Sequence, residues 1–198
     1  SNEDKSTYTL FGDAGTVTAL EYDETAAPMS FVFNTDGSGK DAIIIQDGGY
    51  RNKTTQQSFA VKEKGEGIVK SDVDLTMDGM SVFSFAISKA PKSVNALLDK
   101  IGRDRSEIDL FTFHQANLFL NEKIRKKLKL EAEKVPYCLD EFGNTSCASI
   151  PLTLVTRKRG ELLSRNLKHI ACGLGVGLSW GSVYFETDNI VCPELIEV

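Results

Sequence analysis

The stretch IDLFTFHQANLFL (108–120) carries the change of pattern on which the predicted fold depends. Residues 108–113 form a short, nearly continuous apolar run, which is typical of a strand buried on both faces of a sheet. The run stops at His114, and residues 116–130 then place apolar side chains at helical spacing along one stripe. A buried strand followed directly by an amphipathic helix is the repeating unit of an α/β sheet. His114 therefore lies at the carboxyl end of a predicted strand, where such sheets bind their ligands.

The same alternation of strand and helix continues on both sides of this stretch. Its further members are, in order, a strand at 73–79, a helix at 81–101, a strand at 135–139, a helix at 146–164 and two strands within 169–186 around a glycine loop. This order predicts an α/β fold built on a mixed five-stranded sheet with helices on its faces. Residues before position 73 are β-rich and contain several glycine turns, so we divide the chain into segments 1–72 and 73–198.

Composition and charge exclude several classes of function. The 198 residues carry a formal net charge of −5 and a pI near 5.2, which argues against a general nucleic-acid binder. No apolar run approaches the roughly 18 residues of a membrane helix, and the first residues do not resemble a secretory signal. We therefore expect a cytoplasmic protein that binds neither nucleic acid nor membrane.

The cysteines and histidines give no sign of a metal site. The chain has four cysteines and two histidines; it contains no CxxC pair, and the histidines lack the spacing of zinc ligands. We expect reduced and mostly buried thiols, and we expect no bound metal. The cysteines are Cys138, Cys147, Cys172 and Cys192.

Three neighbouring strand ends offer groups suited to acyl transfer. They carry the imidazole of His114, the carboxamide of Asn144 in the stretch FGNTS, and the glycine loop 173–177. An imidazole and a carboxamide can both donate hydrogen bonds to a developing oxyanion, and glycines let backbone N–H groups approach a ligand closely. The nucleophile of such a site is not evident. Cys147 follows Asn144 by three residues, but the start of a helix explains its position more simply.

Six stretches, taken together and in order, resemble one enzyme family. They are LFGDAG (10–15), DGSG (36–39), MDGMSVFSFA (77–86), HQAN (114–117), GNTSCASIPL (143–152) and GLGVGLSWGS (173–182). In this combination the chain resembles the β-ketoacyl-acyl-carrier-protein synthase III family, whose fold is thiolase-like. HQAN alone would be a weak signal, whereas HQAN followed by GNTS and the glycine loop is a strong one.

The resemblance implies a fold of two similar βαβαβαββ halves with the catalytic cysteine in the first half. This chain resembles the end of that first half with its connection, residues 1–72, and the whole second half, residues 73–198. The implied reaction loads an acyl group from acyl-CoA onto the cysteine and condenses it with malonyl-acyl-carrier protein by decarboxylation, as in fatty acid biosynthesis. It needs no cofactor. The fragment alone would be inactive, and the full-length form would be a homodimer.

The resemblance also assigns roles to individual residues. His114 and Asn144 would support decarboxylation, and the amide near Val176 would contribute to the oxyanion hole of the acyl-enzyme. The remaining candidates are Asn117, Gly79, Met80 and Phe83 for the pantetheine tunnel, and Lys123, Arg125 and Lys126 for docking of the acyl carrier protein.

Two departures from the family pattern bear on these roles. Typical members carry an arginine where this chain has Phe119, which removes one expected contact to the carrier protein. Cys147 also stands where a small alanine is usual. The basic residues of this helix also fit an ordinary solvated surface.

Other functions remain open at this stage. The chain fits a non-catalytic subunit of the same fold or an acyltransferase with an acceptor other than the carrier protein; a cysteine-protease-like Cys–His–Asn site is a weaker fit. In each of the thiolase-like interpretations the chain is one half of a two-half fold, so the apolar face that packs on the other half is exposed. We therefore expect the chain to self-associate or to stay with the missing half.

Overall fold

The computed structural model describes residues 4, 7–65 and 67–197. The described residues form eight strands and four α-helices, with short 3-10 turns between them. In chain order they are β1 (Ser30–Thr35), β2 (Ile43–Ile44), β3 (Lys62–Glu63), β4 (Val69–Lys70), β5 (Thr76–Met77), α1 (Gly79–Ile101), β6 (Leu110–Phe113), α2 (Leu118–Leu128), α3 (Leu139–Phe142), α4 (Ser149–Ser164), β7 (Leu167–Gly175) and β8 (Ser179–Thr187).

The main sheet is mixed and has the strand order β1-β8-β7-β6. β6 pairs parallel with β7, whereas β8 pairs antiparallel with both β7 and β1. Helices α1 and α2 pack on one face around Phe111 and Phe113, and α4 packs on the other face against Leu110. Burying one such phenylalanine contributes about 2 kcal/mol to folding. The predicted α/β class, with helices on the faces of a mixed sheet, is therefore confirmed.

The predicted count of five strands is wrong for the described residues, since the main sheet has four. The segment 135–139 forms no strand: Pro136 has no N–H for a ladder, and the N–H of Cys138 is donated to the side chain of Gln115 at 3.3 Å. β5 pairs with β2 in a separate two-stranded sheet, and β3 with β4 in another. The fourth strand of the main sheet is β1, which comes from the first segment.

Local signals set the ends of the first two helices. Asp78 caps α1 by accepting hydrogen bonds from the backbone N–H groups of Met80 and Ser81, and Gly102 ends it in the left-handed conformation. The helix continues through Pro91 without a break. Helix α2 is capped by Asn117 and buries the predicted stripe of leucine and isoleucine side chains against α1.

None of the helices in the described ranges is both long enough and apolar enough to cross a membrane. The boundary between the two sequence segments at residue 73 stays a prediction. The pairing of β1 with β8 shows, however, that the first segment contributes to the same sheet as the second.

Candidate active site

The end of β6 holds His114 in a fixed place at the edge of the sheet. Its backbone N–H donates to the carbonyl oxygen of Cys172 on β7 at 2.9 Å, which extends the parallel ladder by one residue. Its carbonyl oxygen accepts a hydrogen bond from Asn121 Nδ2 at 3.1 Å. Since both backbone groups are engaged, the direction in which the imidazole leaves the chain is set by β6, β7 and α2 together.

The other two polar residues of the HQAN stretch support this arrangement. Gln115 is fully buried; its Nε2 donates to the carbonyl oxygen of Phe113 at 2.8 Å, and its Oε1 accepts from the N–H of Cys138 at 3.3 Å. The Oδ1 of Asn117 accepts from the N–H of Leu120 at 2.8 Å and so begins α2. These contacts explain why two carboxamide residues follow the histidine.

Asn144 lies in a turn after α3, and not at the end of a strand as predicted, because residues 135–139 form no strand. The LFGDAG stretch holds this turn. Its N–H donates to the carbonyl oxygen of Leu10 at 3.0 Å, and its carbonyl oxygen accepts from the N–H of Gly12 at 3.0 Å. Gly12 has to be a glycine, because an added Cβ would lie 2.0 Å from the carbonyl oxygen of Phe142. The two strand-like backbone bonds therefore couple the beginning of the chain to the site.

A side-chain hydrogen bond orients the carboxamide of Asn144. Its Oδ1 accepts from the N–H of Ser146 at 2.9 Å, and Ser146 adopts a left-handed backbone with φ of 54° to make this contact. Because the oxygen is engaged, the NH₂ group is the part of Asn144 that is available to donate to a ligand.

Burial favours the neutral form of the His114 imidazole. Its Nδ1 lies 2.9 Å from the hydroxyl of Ser149, the first residue of α4. Desolvation lowers the pKa of His114 below the ordinary value for histidine, and a backbone hydrogen bond at Ser146 opposes this in part. A neutral imidazole is a hydrogen-bond donor through one nitrogen and an acceptor through the other.

Both side chains open into one cavity of about 890 Å³ with mostly apolar walls. A cavity of this size with a few convergent polar groups is typical of a small-molecule site. The structure brings six of the predicted site residues to it: His114, Asn144, Asn117, Val176, Gly79 and Phe83. Met80 does not line it and is 75% exposed. Cys147, by contrast, does line it.

The DGSG turn positions the glycine loop at the end of β7. Asp36 and Leu178 exchange two backbone hydrogen bonds, of 2.8 Å and 3.0 Å. A Cβ on Gly39 would lie 2.6 Å from the Leu178 side chain, so a glycine permits this close approach. The sequence marks this turn as part of the family resemblance, but it predicts no role for these residues at the site. Ser146 and Ser149 were missed as well, because no single-sequence pattern marks a hydroxyl or a left-handed turn that serves a distant residue.

The three basic residues of α2 that were predicted to dock the carrier protein differ in their surroundings. The Arg125 guanidinium donates to both carboxylate oxygens of Glu122, at 2.7 Å and 2.8 Å, and to the carbonyl oxygen of Leu130 at 2.7 Å. It therefore fastens the end of its own helix. Lys123 lies over the ring of Phe119, 5.2 Å from its centroid, and Phe119 stacks on Phe83 at 5.6 Å. Lys126 is largely exposed.

The buried cysteines are poor nucleophiles. Burial raises the pKa of the Cys172 thiol to about 11, and it also raises the pKa values of Cys138 and Cys192. Cys147 is the exposed cysteine of the four. Within the described ranges, no group of three His, Cys, Asp or Glu side chains is placed to hold a metal ion.

Comparisons with known proteins agree on one family. The family model described as 3-oxoacyl-[acyl-carrier-protein (ACP)] synthase III C terminal matches residues 98–187. The chain is 35% identical over 183 residues to beta-ketoacyl-[acyl-carrier-protein] synthase III 5 of Streptomyces coelicolor, covering 90% of this chain and 52% of that protein. It is 34% identical over 187 residues to the synthase III of Ruegeria pomeroyi, covering 91% and 52% respectively.

A solved structure is similar over the same span. The crystal structure of a 3-oxoacyl-(acyl-carrier protein) synthase from Burkholderia xenovorans superposes with a TM-score of 0.84 at 42% identity, covering 94% of this chain and 52% of that one. The chain thus spans about half the length of the curated relatives it matches.

Proposed function

Since the chain belongs to the 3-oxoacyl-[acyl-carrier-protein] synthase III family through its C-terminal portion, we propose that it forms part of a condensing acyltransferase. The proposed reaction transfers an acyl group from acyl-CoA to a cysteine and condenses it with malonyl-acyl-carrier protein, with loss of CO₂. One observation carries the proposal: His114, at the end of β6, and Asn144, in the turn after α3, line one largely apolar cavity.

In this proposal His114 and Asn144 hold the thioester oxygen of the malonyl group. When the bond to the departing CO₂ breaks, its electron pair moves into the thioester and the oxygen becomes an enolate oxygen. The Asn144 NH₂ and an imidazole N–H then donate to this developing charge. The enolate carbon attacks the acyl thioester, and the cysteine leaves as a thiolate. A donor of this kind contributes about 3 kcal/mol to the transition state.

The glycine loop would stabilise the carbonyl oxygen of the second reactant, the acyl group bound to the cysteine. The backbone N–H near Val176 would donate to the oxyanion that forms when the acyl thioester is attacked. The support for this role is that Val176 lines the same cavity and that the exchange of hydrogen bonds between Asp36 and Leu178 fixes the loop. Since the donor is a backbone group, the side chain at position 176 has little influence on it.

The pantetheine arm would lie along Gly79, Phe83 and Asn117, which line the cavity. Met80 is exposed in the first turn of α1, and its contact with the arm stays a prediction. For docking of an acidic carrier protein we favour Lys123 and Lys126 over Arg125, whose guanidinium is engaged by its own helix.

The remaining parts of the proposal concern the whole protein. We propose that the nucleophilic cysteine lies in the portion of the relatives that this chain does not cover, and that this portion packs on the exposed face around Phe31 and Phe33. A homodimer, a cytoplasmic location, and the absence of a cofactor stay predictions. No observation favours the non-catalytic subunit or a different acceptor over this proposal.

The test separates acylation from decarboxylation in the full-length protein. Intact-mass spectrometry with a panel of acyl-CoAs should show one added acyl group on a cysteine outside this chain. His114→Ala and Asn144→Ala should keep that acylation and lose decarboxylation of malonyl-carrier protein by about 10²–10³-fold each. His169→Gln and Asn189→Ala change the same residue types outside the cavity and should keep both steps. An absent acyl-enzyme in the folded protein, or full decarboxylation in both alanine variants, would contradict the proposal.

A further inference from the structure

The hydroxyl of Ser149 is placed between two groups of the β6–α2 junction. Ser149 is 1% exposed and is the first residue of α4, 35 positions after His114 in the sequence. Its Oγ lies 2.9 Å from His114 Nδ1 and 3.3 Å from the backbone nitrogen of Gln115. Both contacts reach across more than thirty residues, so they are made only in the folded protein.

The direction of these two hydrogen bonds follows from their donors. The backbone N–H of Gln115 can only donate, so the Ser149 oxygen accepts there. A buried hydroxyl also has to place its own hydrogen on an acceptor. In the described part of the chain, the acceptor within hydrogen-bond distance of Ser149 Oγ is His114 Nδ1. The hydroxyl therefore donates to Nδ1, which has to be unprotonated.

A neutral imidazole whose Nδ1 accepts a hydrogen bond carries its hydrogen on Nε2. The Nε2–H is then the group of the imidazole that can donate, to the backbone oxygen of Ser146 beside the ring or to a ligand in the cavity that His114 lines. The opposite tautomer would present a lone pair at Nε2, which repels an oxyanion and acts as a base. The choice between donor and base at this position thus depends on one hydroxyl.

We propose that Ser149 is a positioning residue that fixes His114 in the Nε2–H tautomer, so that His114 serves the reaction as a hydrogen-bond donor and not as a general base. This role deepens the proposed condensing function and rests on it. The chain offers a matched control in Thr153, a buried hydroxyl one turn further along α4. Its Oγ1 donates to the carbonyl oxygen of Ser149 at 2.7 Å and makes no contact with His114.

The tautomer itself is the first measurement. Full-length protein labelled with ¹⁵N-histidine is studied by long-range ¹H–¹⁵N correlation, with His114 identified by the loss of its signals in His114→Asn. We expect Nδ1 in the unprotonated range and Nε2 in the protonated range. Ser149→Ala should average the two nitrogens toward a mixture of tautomers, whereas Ser149→Thr and Thr153→Val should keep the native pattern. A proton on Nδ1 in the wild-type protein overturns the proposal, even if Ser149→Ala does not fold.

The second measurement is the rate of each chemical step. Ser149→Ala should slow decarboxylation by about tenfold or more, with little change in KM or in acylation of the cysteine, and Ser149→Thr should restore the rate. If Ser149→Ala keeps both the native tautomer and the native rate, the role of Ser149 is refuted while the condensing function stands. If the wild-type protein forms no acyl-enzyme, the proposed function fails, and the tautomer spectrum shows separately whether Ser149 orients His114.

Discussion

Replacing Gly12 by alanine should disturb the site through the turn that carries Asn144. The added Cβ would lie 2.0 Å from the carbonyl oxygen of Phe142, which falls 1.4 Å short of the 3.4 Å at which ordinary contact begins. The obstacle is a backbone oxygen that cannot rotate away, so residues 10–12 and the turn that carries Asn144 have to separate. The separation also weakens the two backbone hydrogen bonds between residues 10–12 and Asn144.

The loss of stability follows from the steric overlap and from the two weakened hydrogen bonds. Overpacking of this kind costs about 1–3 kcal/mol, and each weakened hydrogen bond about 0.5–1.5 kcal/mol. We expect a loss of about 3 kcal/mol in the free energy of unfolding, which lowers Tm by about 6–12 °C for a chain of this size. Because a displacement of about 1 Å at a reacting group costs about 10²-fold in rate, decarboxylation by the full-length enzyme should fall by a similar factor.

Thermal unfolding of the Gly12→Ala variant measures the first effect, and the decarboxylation assay measures the second. The matched control is Gly15→Ala in the same LFGDAG stretch, because a Cβ on Gly15 meets nothing within 4 Å in the described chain. Gly15→Ala should change Tm by no more than about 4 °C, since a sterically free Gly→Ala change alters stability by about 0.4–1 kcal/mol or less. Equal Tm values and equal rates for the two variants would refute the reasoning.

Three further predictions concern the rest of the chain. Burial lowers the pKa of His169 to about 4 from 6.5, so below pH 6.5 the unfolded state binds a proton that the native state does not bind. Urea titrations should therefore show that this residue costs about 3 kcal/mol of the free energy of unfolding between pH 7 and pH 4, and His169→Gln should remove that part of the pH dependence. Cys147 should be the one thiol of four that a thiol reagent labels in the native chain, and Cys147→Ala should abolish rapid labelling; labelling of a second cysteine at the same rate would contradict the burial of the other three. Arg125→Ala should lower the free energy of unfolding by about 1–3 kcal/mol, because it removes charged hydrogen bonds to Glu122 and to the carbonyl oxygen just after the helix. Lys126→Ala should change it by less than about 0.5 kcal/mol, and equal losses in urea unfolding would show that Arg125 does not stabilise the helix end.

The sequence predicted those elements whose signals are local. The buried run of β6, the stripe of α2 and the helix at 81–101 were each found close to their observed bounds, because apolar periodicity and capping residues act within one element. The thiolase-like α/β class, inferred from six short stretches, is confirmed by the likeness to solved synthase III structures. Periodicity alone would not have named that class.

The errors of the prediction come from contacts between residues far apart in the chain. The pattern of residues 135–139 predicts a strand, but the N–H of Cys138 donates to the side chain of Gln115, which lies twenty-three positions earlier. The pairing of β1, in the first segment, with β8, more than 140 residues later, is likewise marked by no local pattern. A propensity describes what a segment can do, and the partner that fixes its backbone hydrogen bonds is chosen only when the chain is folded.

By itself the sequence determined which chemical groups are available to the site: an imidazole at position 114, a carboxamide at 144 and a flexible backbone near 176. Only the tertiary structure decided how those groups are oriented. Ser146 turns the carboxamide, Ser149 contacts the imidazole, and the helix end engages Arg125. The physical reason is that a side chain's identity is written at its own position, whereas the direction of a hydrogen bond depends on a partner that folding brings within about 3 Å.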